Sequence, residues 1–235
     1  MKRQQHTSRA RDPRRLRIAG MVLAAGRGRR FRGERPKQLA AMLGEPLVCH
    51  ACRALLGCGV DPAILVVGFR GQAVARAALE TATQARAALE VVANPAWRSG
   101  LSSSVAAGLA QVPQGADALL LVPADQPLLA AHHLSALLET YRRTGAPMVA
   151  AADGAGRPRG APALFARSRF ALLARLEGDS GAGAILAGAT DDLLTVPIPD
   201  EALMDVDTAD DLVRLEHAIR GPSSGPRTVS QTGGT

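Results

Sequence analysis

Arg17-Ile18-Ala19-Gly20-Met21-Val22-Leu23 runs straight into Ala24-Ala25-Gly26-Arg27-Gly28-Arg29-Arg30. The first seven residues read as a strand, and the apolar run from Ile18 onward is that of a strand buried on both faces of a parallel sheet. A glycine-rich loop then begins at the strand's carboxyl end. Backbone N–H groups there can approach a phosphate closely, because glycine carries no Cβ. The loop continues through Phe31-Arg32-Gly33-Glu34-Arg35-Pro36 to Lys37, so it carries five arginines and a lysine, enough charge for a triphosphate. It matches neither GxxxxGK[ST] nor GxGxxG, and the ATPase and dinucleotide fingerprints are therefore absent. A flexible basic loop is the alternative, but the position directly after a buried strand favours phosphate.

Outward from this strand, further strand candidates, several of them continuous apolar runs, recur at Ala63–Val67, Leu89–Ala93, Ala116–Val122, Pro147–Ala151 and Leu193–Pro197. Helical patterns fall between and after them at 46–57, 71–86, 101–110, 130–143, 167–176 and 208–220. This alternation predicts an α/β domain over residues 17–220: three layers, Rossmann-like, with a mostly parallel central sheet and ligands at the carboxyl ends of the strands. Residues 1–16 read as a disordered basic arm and residues 221–235, rich in Gly, Ser, Thr and Pro, as a disordered tail.

Charge is distributed unevenly. The chain of 235 residues has a formal net charge of +7, yet residues 1–37 hold 13 basic and two acidic side chains, and the remainder holds 15 basic and 19 acidic. The body is thus mildly acidic. Lys2 and Lys37 are the only lysines, so the folded part contains one. With six aromatic residues in the whole chain, the basic stretches lack the interleaved stacking platforms of single-strand binders, and nucleic acid is not expected as a partner. Cys49, Cys52 and Cys58 are odd in number and imply no disulfide framework; they read as small buried helix residues in a reducing cytoplasm. Arg14-Arg15 precede an apolar run of only eight residues that leads into a cationic segment, which argues against export. No run reaches the roughly 18 apolar residues of a membrane span.

Three further stretches carry candidate chemistry. In Val122-Pro123-Ala124-Asp125-Gln126-Pro127, an aspartate comes after a buried strand and is well placed to hold Mg²⁺ beside a nucleotide. In Met204-Asp205-Val206-Asp207-Thr208, two carboxylates at a spacing of two share a direction if the segment is extended; Asp207 is the stronger metal candidate. Thr208 is a candidate cap, and Asp210 and Asp211 suit the first turn of the helix it would start. Asn94-Pro95-Ala96-Trp97-Arg98-Ser99-Gly100-Leu101-Ser102-Ser103-Ser104 opens a helix. Ser102 and Ser103 read either as its N-cap or as hydroxyls facing the cleft, and Trp97 reads as a packing residue.

Together these motifs carry a resemblance. LAAGxGxR with a PKQL after it, then ANPxWxxGLSSSVxxGL, PADQP and DVDT, resemble the molybdenum cofactor cytidylyltransferases, a MobA-like group of Rossmann-like nucleotidyltransferases, over about residues 19–215. The resemblance implies transfer of CMP from CTP to the terminal phosphate of molybdopterin, with release of pyrophosphate. Ala25 and the pair Gln126-Pro127 resemble the cytidylyl rather than the guanylyl pattern. The resemblance further implies that Leu23, Ala24, Ala25 and Gly26 line the nucleotide and that Arg30 and Lys37 meet its phosphates. Ser102 and Ser103 would lie near the base or ribose. Asp125 would hold Mg²⁺, with Asp207 as a second contact. The N-terminal half would bind nucleotide and the C-terminal half the acceptor. The product would pass to a molybdenum hydroxylase apo-enzyme or a cofactor chaperone.

The chain departs from this pattern in three places. The loop from Arg30 to Lys37 is about two residues longer than expected. Ala161 stands where histidine is expected, and Gly183 where arginine is expected. Arg157, Arg159 and Arg167 are the remaining candidates for the pterin phosphate. His132 and His133 read as helix-surface residues. Alternatives are a cytidylyltransferase for a polyol or sugar phosphate, as the PKQL ending of the isoprenoid-pathway enzymes has it, and a non-catalytic cofactor delivery protein.

Overall fold

Period-two alternation in the first strand divides its side chains between two cores. Ile18, Val22 and Ala24 face one layer, while Ala19, Met21 and Ala25 face the other. The computed structural model of the chain describes residues 16–28, 30–31, 36–189 and 191–220. The arm through residue 15, the tail 221–235 and the loop residues Arg29, Arg32 and Arg35 lie outside them. Leu16, read as part of the arm, packs against the first core.

All six anticipated strands form: β1 (Ile18–Ala24), β4 (Ala63–Val67), β5 (Glu90–Ala93), β6 (Ala118–Pro123), β7 (Met148–Ala152) and β9 (Leu193–Pro197). Two short strands, β2 (Ala41–Met42) and β3 (Glu45–Pro46), make a small separate hairpin. The sequence reading missed β8 (Pro158–Ala166), whose first half is Pro158-Arg159-Gly160-Ala161 and carries none of the apolar signal of a buried strand. The seven-stranded sheet has the order β5-β4-β1-β6-β8-β7-β9. β8 is antiparallel to both neighbours, and every other pairing in this sheet is parallel. Pro158 opens that strand, and its pairing with β7 shifts register between Ala150 and Ala152, which is how a proline-containing segment enters the middle of a sheet. β6 pairs with β8 only up to Leu121↔Ala163, so residues 158–162 run on beyond that ladder toward the carboxyl end of β6.

Helices α1 (Leu47–Gly57), α2 (Gly71–Gln84) and α4 (Ala131–Thr144) cover one face of the sheet; α3 (Leu101–Leu109), α5 (Phe170–Ala174) and α6 (Ala182–Ala187) cover the other. The anticipated helix 167–176 is a 3-10 turn leading into the short α5, and α6 was not anticipated. α7 (Ala209–Arg220) closes a third, smaller cluster of Met42, Leu47, Val206 and Leu215. The cysteines are free and buried as expected; burial pushes the Cys52 thiol up to about 12 and that of Cys58 to about 11. His132 is exposed, but His133 is half-buried and its Nδ1 accepts from Ala130 N–H (3.1 Å) at the start of α4. No helix among the described residues is long and apolar enough to cross a membrane.

Candidate active site

Two turns at the carboxyl edge of the sheet, after β1 and after β6, flank the functional centre. After β1, Gly28 has φ +66°, and a Cβ there would stand 2.6 Å from Lys37 Cβ, so glycine is what lets the loop fold back on Lys37. Pro36 leads into a 3-10 turn at Lys37–Leu39, and Gln38 Nε2 donates to Gly26 O (2.8 Å), closing the loop on itself. Lys37 is thereby buried, its side chain 9% exposed.

Its ammonium has two anionic partners from distant parts of the chain. Lys37 Nζ donates to Asp125 Oδ2 at 2.6 Å and to Asp207 Oδ1 at 3.0 Å. Arg30 Nη1 reaches the other oxygen of Asp207 at 2.7 Å. Burial works to lower the Lys37 pKa, but the charge and hydrogen bond of Asp125, and after them those of Asp207, outweigh it and hold the ammonium above its ordinary value.

Asp207 is held in place by the start of α7. Asp211 Oδ2 accepts from Asp207 N–H (3.1 Å) and Thr208 N–H (2.7 Å), while Thr208 Oγ1 accepts from Asp211 N–H (3.2 Å). This is a reciprocal cap with aspartate in the place of glutamate. Val206 N–H donates to Asp125 O (2.9 Å), tying the two acidic segments together. Gln126, 3% exposed, donates from Nε2 to Asp205 Oδ1 (3.0 Å) and approaches Ala161 O (3.3 Å), so it links both segments to the first half of β8. Burial raises the Asp205 carboxyl, with the Asp125 charge adding to it.

Asp125 and Asp207 offer only carboxylate oxygens, the donor type of a hard divalent cation. No third acid, histidine or cysteine joins them into a ligand cluster among the described residues. Such a pair fits a cation like Mg²⁺ that takes its remaining ligands from phosphates and water.

Next to this centre, at the carboxyl end of β1, lies a cleft of about 320 Å³. Leu23, Ala25 and Gly26 line it from the end of β1, and Trp97, Leu101 and Ser104 from the segment that opens α3. Trp97 both packs against the second core and lines the cleft. Its ring lies 5.5 Å from that of Phe69, Arg98 stacks on it at 4.5 Å, and Arg27 stacks on Phe69 at 5.3 Å.

The structure brings Arg30, Lys37, Asp125 and Asp207 together, and puts Leu23, Ala25 and Gly26 in the adjoining cleft. Other anticipated residues fall elsewhere. Ala24 packs into the first core with no exposure and does not line the cleft. Ser102 and Ser103 do not cap α3, whose N-cap is Gly100. Their hydroxyls are spent locally, Ser102 Oγ on Gly178 O (2.8 Å) and Ser103 Oγ on Gly100 O (2.8 Å) and Ala96 O (2.9 Å). At 100° per residue the three consecutive serines face different ways, and it is Ser104, which the sequence reading passed over, that lines the cleft, its buried Oγ accepting from Asn94 Nδ2 (3.0 Å). Arg167 lies at the opposite end of the sheet, its N–H bonded to Asp117 O (2.8 Å) before β6, and cannot hold an acceptor. Arg157 is paired with Asp153 at 2.8 Å. Arg159 is close enough to Asp205 to lower its pKa. Arg98 and Asp179 line the cleft without having been anticipated.

Several known proteins share this sequence pattern and fold. The MobA-like NTP transferase domain matches residues 20–194. Nicotine blue oxidoreductase of Paenarthrobacter nicotinovorans is 33% identical over 205 residues, 84% of this chain and 96% of that protein. Bifunctional protein GlmU of Heliobacterium modesticaldum is 36% identical over 129 residues, 54% of this chain but 26% of GlmU, so the chain spans about a quarter of that relative's length. Rv0371c from Mycobacterium tuberculosis superimposes with a TM-score of 0.70 at 28% identity, covering 86% of this chain and 98% of that one. Its complex with manganese superimposes with a TM-score of 0.67 at 27% identity, covering 85% and 98%.

Proposed function

The chain belongs to the MobA-like NTP transferase family, and from that premise we propose that this nucleotidyltransferase moves CMP from CTP to the terminal phosphate of molybdopterin, releasing pyrophosphate. The observation that carries the transfer reading is the buried Lys37, held by Asp125 and Asp207 beside the glycine loop and the cleft. In this reaction an acceptor phosphate oxygen bonds to the α-phosphorus, and the bond to the β-phosphate oxygen breaks, its electron pair leaving on pyrophosphate. Two anions must meet and the leaving group gains charge, so the requirement is positioning and cationic neutralisation rather than an acid–base pair. Lys37 and Arg30 supply positive charge from the loop. Mg²⁺ on Asp125 and Asp207 would add a divalent charge on the phosphates, and the manganese complex of Rv0371c supports a divalent cation in this fold.

The nucleotide assignment rests on Ala25 and Gln126-Pro127 and on the cleft in the N-terminal half. The acceptor then lies toward β8 and β7 in the C-terminal half, where Arg159 faces Asp205. Free buried cysteines fit a reducing, cytoplasmic setting. The product would go to a molybdenum hydroxylase apo-enzyme or a cofactor chaperone. The match to GlmU supports another phosphorylated acceptor as the alternative. The relative named nicotine blue oxidoreductase, similar over 96% of its own length, favours a second reading, oxidoreduction of nicotine blue.

The test incubates purified protein with Mg²⁺, molybdenum cofactor and CTP, GTP or ATP separately and monitors pyrophosphate. CTP-dependent release that disappears in Asp125→Ala is expected. Absence of release with every nucleotide, together with protein-dependent reduction of nicotine blue by an added chemical reductant, would favour the second reading. Release with CTP only when a sugar phosphate replaces the cofactor would change the acceptor.

A further inference from the structure

Most of the cleft is built from residues 23–104. Asp179 is the one lining residue, among those described, that comes from the C-terminal half. Its position is set by a tight seat on the first turn of α3. The carbonyl of Gly178 accepts from both the N–H of Ser102 (3.1 Å) and its Oγ (2.8 Å). Gly100 has φ +103°, and a Cβ there would stand 2.2 Å from Gly178 O and 2.8 Å from Asp179 N. Only glycine at 100 lets the two segments come this close. A Cβ on Gly181 would likewise stand 2.6 Å from Leu101 Cδ2. The backbone of the turn carrying Asp179 is therefore clamped from both sides, and Asp179, exposed to solvent, lines the cleft from it.

The charged neighbours of Asp179 in the cleft are otherwise engaged. Arg27 lies over the ring of Phe69 and Arg98 over that of Trp97, and no cation pairs with Asp179 among the described residues. A carboxylate is an acceptor without a donor of its own, so it selects a ligand N–H or O–H. It does not suit the phosphate end of a nucleotide, where the cations Lys37 and Arg30 stand. Leu23, Trp97 and Leu101 offer apolar walls of the kind that hold the faces of a flat heterocycle.

We infer that Asp179 reads the exocyclic amino group of the base and so separates CTP from UTP. This rests on the nucleotide-transfer reading above. Cytosine presents N4–H₂ on the edge where uracil presents the O4 acceptor, and a carboxylate attracts the first and repels the second. Adenine and guanine also carry amino donors, so the selection concerns the two pyrimidines.

Trp97 is the only tryptophan in the chain and lines the same cleft, so its emission reports occupancy without turnover. The experiment titrates CTP and UTP, each with Mg²⁺, into the wild-type protein, Asp179→Asn and Asp179→Ala, with thermal unfolding as a check on folding. Wild-type protein should prefer CTP by about tenfold or more. Asp179→Asn should bring the preference to about one or reverse it, because an amide N–H can serve uracil O4. Asp179→Ala should remove the preference by weakening CTP while sparing UTP, and it decides the matter alone if the Asn variant does not fold. An unchanged preference in the folded variants overturns the inference. So does equal weakening of CTP and UTP, which would mean ribose contact or general loosening. So does unchanged CTP binding with slower turnover, which would assign Asp179 to the acceptor. Wild-type protein that binds neither nucleotide and releases no pyrophosphate would instead overturn the transfer reading itself, and this inference with it.

Discussion

Replacing Lys37 by methionine keeps the length of the side chain and removes its charge, leaving Asp125 and Asp207 facing each other. The ammonium makes hydrogen bonds of 2.6 and 3.0 Å with side chains that are 26% and 42% exposed, while its own is 9% exposed. A hydrogen bond to a charged group contributes about 1.5–3 kcal/mol net, which applies to the Asp125 contact. The Asp207 contact, nearer to water, is discounted to below about 1 kcal/mol. Lys37→Met should therefore cost about 2–4 kcal/mol of stability. The coupling between Lys37 and Asp125 in a cycle of Lys37→Met, Asp125→Asn and the double variant should be about 2 kcal/mol. Urea unfolding near neutral pH measures both. Additivity of the two substitutions to within about 0.5 kcal/mol would rule out a shared interaction between the two groups, and with it the magnitude derived for the ammonium.

The pH dependence has a definite sign. The folded-state pKa of Lys37 lies above 10.5, so its stabilisation is fully present below that value and is lost as pH rises through the higher, folded one. The gap between wild type and Lys37→Met should stay level around neutrality and narrow only in strong alkali. In turnover, the same variant should lose about 10²–10³ in kcat/KM, the usual cost of removing one charge-stabilising donor.

Arg30→Gln breaks an ion pair whose guanidinium is 77% exposed, so stability should change by less than about 0.5 kcal/mol while KM for CTP rises; a large stability loss with unchanged KM would contradict the phosphate role. Gly100→Ala adds a Cβ 2.2 Å from a backbone carbonyl at φ +103°, and should cost about 2–4 kcal/mol in thermal unfolding and weaken CTP binding by displacing the Asp179 turn. Asp211 is held down to about 2, first by its bond from Thr208 and then by Arg214, so the stability it contributes is present above the ordinary carboxylate pKa and disappears as pH falls through about 2. Asp211→Asn should lower the melting temperature near neutral pH and converge with wild type in strong acid, which calorimetry over a pH series would show.

β1, β4, β6 and β7 were legible because a strand buried on both faces must be apolar along almost its whole length. The edge strands β5 and β9, mostly exposed, were legible from their short β-branched runs. β8 was not legible. Its first half is Pro158-Arg159-Gly160-Ala161, and it takes its place only because β6 and β7 leave an antiparallel slot between them. The short α6 was hidden for a similar reason: its first turn runs against β8, with Gly183 N 3.3 Å from a Cβ built on Gly160. In the site, Lys37 and Asp125 stood out as a lone body lysine and an aspartate after a buried strand. Ser104 did not, because three adjacent serines are equivalent until the helix start is known.

The alternating α/β order, the glycine loop after β1 and the acidic turns after β6 and before α7 are all written in the linear chain. Those are local properties, set by apolar periodicity, the missing Cβ of glycine and the cap at Thr208 and Asp211. Which charges meet is settled in three dimensions alone. Lys37 lies 88 residues from Asp125 and 170 from Asp207, and their hydrogen bonds exist because β1 and β6 are neighbours in the sheet and the segment before α7 is tied to Asp125. Asp179 likewise enters the cleft because two glycines let one turn rest on another. Neither meeting has a periodicity to reveal it, since through-space neighbours across a sheet edge leave no spacing in the chain.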